Sequence, residues 1–155
     1  MTIQTLVSGS REMYGTSGKI RSKLTKADLN FVELYGGQNP TLASVTATTG
    51  GATTGLIPAA ARFVTVTSDS ADKQISLPAA DIGKELTIKV GSTGCELISA
   101  VAAHKVNNVT VGATNEAALT ANNTYILIYV AANTWIMSGY TNLGAVQTAV
   151  IPDAL

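Results

Sequence analysis

The chain has 155 residues, ten Lys and Arg balanced by ten Asp and Glu, 46% hydrophobic residues and only 13% charged ones. That length suits one domain with an arm better than two full domains, and zero net charge excludes a general nucleic-acid binder, which must displace many counterions from phosphate. No run of about 18 apolar residues occurs, so no membrane-spanning helix is expected, and the start Met1-Thr2-Ile3-Gln4 lacks the cationic flank and apolar run of a secretory signal.

Residues 1–41 are expected to form an N-terminal arm. Ser8-Gly9-Ser10 and Gly15-Thr16-Ser17-Gly18 interrupt any periodicity and favour extended backbone. A short helix over 26–35 has a capping pair in Thr25 and Asp28 and a stop at Gly36-Gly37. Phe31-Val32 suits an extended strand nearly as well. The arm gathers the cations Arg11, Lys19, Arg21, Lys23 and Lys26, with Tyr14 among them. They read either as a surface for an acidic partner or as the solvated side of a flexible segment.

Residues 42–55 end in a Thr, Ala and Gly stretch that cannot build a core alone, and they read as a linker. From 56 to 144 short β-type runs follow at regular spacing, over 62–67, 73–77, 85–90, 95–101, 106–111, 124–130 and 134–138, each bounded by turn residues. Seven such runs predict an all-β fold, a small antiparallel sandwich or barrel-like domain. Residues 145–155 read as an extended C-terminal tail whose β-branched Val146, Val150 and Ile151 suit addition to a sheet edge.

The strand patterns differ in what they imply about covering. Leu86, Ile88 and Val90 alternate with Glu85, Thr87 and Lys89, giving one wet face. The run Tyr125-Ile126-Leu127-Ile128-Tyr129-Val130 is apolar on both faces, so both need cover. From Val106 onward only Glu116 and Asp153 are charged, whereas an ordinary small domain carries about 25% charged residues. Cover by other copies of the chain accounts for both facts; cover by the chain's own arm or tail is the alternative. Tyr125, Leu127, Tyr129 and Trp135 are therefore candidates for a subunit interface or for the core.

The chemistry-bearing residues form no motif. Cys95 and His104 are the only thiol and the only imidazole, so neither an internal disulfide nor a zinc spacing exists. The stretch Gly15 to Lys19 lacks the first glycine and the hydroxyl of a phosphate loop, and Gly50 to Gly55 is followed by Leu56-Ile57 rather than lysine. Asp69, Asp72 and Asp81 have no calcium-loop register and read as turn residues. No catalytic residue, cofactor or metal is expected.

Within 74–135 the order of features resembles a module of tailed-bacteriophage structural proteins: Ile75-Ser76-Leu77-Pro78-Ala79-Ala80, Ile82-Gly83, the strand 86–90, Gly94, Leu97-Ile98, Asn107-Asn108 and Thr134-Trp135. The chain is thereby similar to the capsid decoration, or cement, proteins. That resemblance covers less than half the chain, and Ser99 to His104 departs from the pattern. It implies a homotrimer of β-domains on the outer capsid surface of the virion. There it would stabilise the shell by bridging neighbouring copies of the major capsid protein, with Arg11, Tyr14, Lys19, Arg21, Lys23 and Lys26 contacting the capsid. It implies neither nucleic acid nor membrane as a partner. A fibre-tip module that binds a host glycan on Trp135, Tyr125, Tyr129 or Tyr140 is the competing expectation.

Overall fold

A computed structural model describes residues 41–154 apart from 52, 102, 113 and 114. The expected arm, its helix over 26–35 and its six contact candidates lie outside the described residues. Within them the fold is all-β, and the eleven strands form two mixed sheets. In chain order they are β1 Leu42–Thr46, β2 Phe63–Thr67, β3 Gln74–Leu77, β4 Glu85–Val90, β5 Cys95–Ser99, β6 Lys105–Val106, β7 Val109–Thr110, β8 Asn115–Leu119, β9 Thr124–Ala131, β10 Thr134–Tyr140 and β11 Asp153–Ala154. The larger sheet runs β1-β2-β4-β9-β10-β6-β7 and the smaller β11-β8-β5-β3. One hydrophobic cluster, with Ile57, Leu77, Leu86, Leu97, Leu127 and Trp135 among its members, is contributed by both sheets.

The mixed pairing corrects the expectation of a purely antiparallel domain. From β2 to β5 the chain alternates between sheets, so each strand returns beside its predecessor but one and in the same direction. Accordingly β2 with β4 and β3 with β5 are parallel pairs, as is β1 with β2, between which the chain crosses the edge of β3. A sequence of short strands cannot distinguish this coiled path from successive hairpins, because the period-2 alternation is identical in both. The antiparallel pairs β4–β9 and β9–β10 then complete the middle of the larger sheet.

The expected linker is also corrected. Leu42–Thr46 pairs residue by residue with Phe63–Thr67, and the loop that follows lies against the edge of β3. The Thr48 amide donates to the Gln74 carbonyl at 2.9 Å and the Gln74 amide to the Thr48 carbonyl at 2.9 Å, while the Ser76 amide donates to the Gly55 carbonyl at 2.9 Å. An edge that would otherwise offer free backbone groups is thus covered. Glycine is needed there for room: a Cβ on Gly51 would lie 2.4 Å from the Gln74 Cβ, and one on Gly55 2.5 Å from the Gln74 carbonyl oxygen.

Two further boundaries differ. The run over 106–111 is a tight hairpin, β6 and β7, turning on Asn107 and Asn108 with φ of 49° and 70°; two asparagines in the left-handed region suit such a two-residue loop. The separator over 112–123 contains β8, whose Ala117 and Leu119 face the core. Alanine carries little strand preference, so this strand exists through its pairing with β5.

Candidate functional site

The outward face of the larger sheet is built by strand alternation. On β9, Tyr125, Leu127 and Tyr129 point inward and are buried, whereas Ile126, Ile128 and Val130 point outward and are 38–45% exposed. The register places Ile136 of β10 beside Ile128, and sets Ile126 in one row with Thr87 and Phe63, which is followed by Leu42 on β1. Phe63, Ile136 and Leu42 are exposed as well. The result is an apolar cluster on β9 and β10, separated from the exposed Phe63 and Leu42 of β2 and β1 by the polar outward face of β4, Glu85, Thr87 and Lys89. Adjacent isoleucines facing water are costly to leave uncovered, and exposed apolar patches of this kind are where proteins commonly interact.

The four residues offered as interface or core lie in the core. Trp135 is fully buried, with its ring centroid 5.0 Å from that of Tyr129 and 6.4 Å from that of His104, both near edge-on. The Tyr125 hydroxyl accepts from the Thr120 amide at 2.8 Å and the Tyr129 hydroxyl from the Asn133 amide at 2.5 Å. Among the described residues the Trp135 Nε1 has no hydrogen-bond partner. A ring enclosed on all sides offers no platform to a sugar, so Trp135 cannot serve the glycan-binding reading.

His104 and Ser99 form a buried pair, Oγ to Nδ1 at 2.7 Å, and the same Oγ accepts from the Val101 amide at 3.1 Å. The Oγ can donate to Nδ1 or accept from it with its second lone pair, according to which ring nitrogen carries the proton. Burial lowers the His104 pKa and keeps the ring neutral. Both side chains are sealed from solvent, so the pair holds the 99–104 loop closed rather than presenting a nucleophile. Cys95 is buried too, and burial, followed by the Glu96 charge, pushes its thiol up to about 12. It is inert as a thiolate.

The carboxylates that meet are not the three in the turns. Asp69 is paired with Lys73 at 3.1 Å, and Asp72 has the Ser70 hydroxyl beside it. On the outer face of the smaller sheet, Glu96 of β5 lies beside Gln74 of β3, and Glu116 of β8 lies directly opposite Asp153 of β11. Gln74 Nε2 donates to Glu116 Oε2 at 3.0 Å, while Glu96 Oε2 is buried with no partner among the described residues. Burial, then the charges of Glu116, Asp153 and Asp72, raises the Glu96 carboxyl to about 7. Sequence reading missed this group because its members come from separate strands; the hint was that Glu116 and Asp153 are the only charges after Val106. Among the described residues no set of three His, Cys, Asp or Glu has the geometry to hold a metal ion.

No protein-family model, curated protein or solved structure matches this chain.

Proposed function

We propose that this protein is a structural virion component that decorates the outside of a tailed-phage capsid, working as a homotrimer that bridges neighbouring major capsid subunits. The observation that carries the reading is the apolar cluster of Ile126, Ile128, Val130 and Ile136, with Phe63 and Leu42 across β4, that stays exposed among the described residues. The resemblance over 74–135 supplies the class of assembly. A cement protein needs contact area rather than a catalytic group, and repetition on a symmetric lattice turns modest contacts into strong attachment through avidity. In this reading the cluster packs against the neighbouring copy. Covering what each half-exposed isoleucine still shows to water contributes about 1 kcal/mol, and four to six such residues make a contact worth keeping. The cations Arg11, Lys19, Arg21, Lys23 and Lys26, with Tyr14, then reach the major capsid protein.

Sedimentation of the full chain tests the first step. A trimer at micromolar concentration is expected for the natural sequence and a folded monomer for Ile128→Lys, whose charge points out of the fold. A natural chain that stays monomeric overturns the reading. Incubation with undecorated shells tests the second step: the natural chain should sediment with them, and a chain that never does so is not a decoration protein.

A further inference from the structure

The edge of β8 is incompletely used by its own chain. β8 has five residues, and among the described residues its outer edge is paired only at Glu116 and Asn115, with Asp153 and Ala154 of β11. Beside that pairing lies a groove of about 540 Å³ lined by Ala118 and Thr120 and by Val146, Val150 and Ile151. An unpaired strand edge beside an open groove is the geometry that accepts an added strand.

The occupying segment is held where it now lies by a short ladder and a few local contacts. Its two-residue ladder with β8 places two carboxylates, Asp153 and Glu116, directly opposite each other, an arrangement that destabilises a strand pair. Elsewhere the Gln147 amide donates to the Gly139 carbonyl at 2.9 Å, the Thr141 amide to the Ala145 carbonyl at 2.8 Å and Asn107 Nδ2 to the Val150 carbonyl at 2.8 Å, while Val150 packs against the core and Pro152 is buried. The segment leaves β10 through a turn at 141–145 that contains Gly144 at φ 82° and Leu143 at 90% exposure. That short turn ties 146–151 to the end of β10 through the bridge between Tyr140 and Val146, so the same segment cannot also lie along Ala117–Leu119.

We infer that the β8 edge is a strand-exchange site whose occupant is residues 145–154 of a second copy of this chain. A segment arriving from another copy is free of the 141–145 tether and can run along the whole edge from Leu119 to Asn115. The backbone pairing that the departing segment gives up is replaced by that of the arriving one, the low-cost route by which identical elements are swapped between protomers. The inference goes beyond the decoration reading and does not require a shell.

The experiment pairs two single-cysteine variants of the full chain, Asn115→Cys and Ala154→Cys, refolded together and then oxidised. These positions are register partners, and the native thiol at Cys95 is buried and protonated, so it takes no part. Because neither variant carries both cysteines, a disulfide between 115 and 154 can only join two chains. The expected result is a covalent heterodimer as the main product of the mixture, while the double variant gives linked multimers as well as internally closed chains. No heterodimer above the level of either variant alone, together with a double variant that closes only internally, overturns the inference. Hydrogen exchange on the natural chain gives a second readout. Protection of the β8 amides should rise with protein concentration, and concentration-independent protection refutes exchange. A trimer by sedimentation with no 115–154 cross-link would sink the strand exchange and leave the decoration reading standing.

Discussion

Replacing Glu96 by glutamine tests whether the carboxylate group on the smaller sheet governs stability. The folded protein holds the Glu96 proton more tightly than an ordinary carboxyl does, at about 7 against 4.5, because burial and the neighbouring Glu116, Asp153 and Asp72 disfavour its charge. The proton-bound form is therefore favoured by folding. Its contribution is complete below pH 4.5 and is lost as pH rises through about 7. Taken at face value the displacement corresponds to about 3 kcal/mol, but Glu96 is only partly buried, and screening reduces this to about 1–2 kcal/mol. The raw pH profile mixes this effect with its opposite. His104, lowered by burial, contributes stability that is present above its ordinary 6.5 and lost as pH falls. The informative quantity is therefore the difference between Glu96→Gln and the natural chain, from urea unfolding at about pH 4.5 and about pH 8. Glutamine resembles the protonated acid, so the difference should be near zero at the lower pH. It should grow to about 1–2 kcal/mol in favour of the variant at the higher pH. An equal difference at both values would refute the reasoning.

Two further outcomes follow from packing. Trp135→Ala should cost about 3–5 kcal/mol in urea unfolding, since it empties a fully enclosed site. Trp135→Phe should cost less, because it also removes the unpartnered Nε1. Gly51→Ala should destabilise by about 1–3 kcal/mol, since its Cβ meets the Gln74 Cβ at 2.4 Å. An unchanged melting temperature would mean that the 47–57 loop does not press on β3.

Several elements could be read directly from residue order. Alternation in 85–90 matched the observed strand residue for residue, because one face of β4 is apolar and the other polar. The two-sided apolar character of 124–130 was visible for the same reason: Ile126 and Ile128 are hydrophobic although they point outward. The hairpin at Asn107-Asn108 and the strand β8 were hidden for opposite reasons. In the first, β-branched residues on both sides of the turn read as one continuous strand. In the second, Asn-Glu-Ala-Ala-Leu has little strand preference until β5 and β11 pair with it.

What residue order determined was the all-β class, the places where chain direction changes and the inward set of each long strand, because alternation and turn chemistry act over a few neighbours. The parallel winding between two sheets, the seating of the glycine loop on β3 and the meeting of Glu96, Glu116 and Asp153 were decided only by tertiary structure. Each joins residues tens of positions apart through backbone hydrogen bonds or the interaction of partly buried charges, and neither force leaves a mark on the local pattern of side chains.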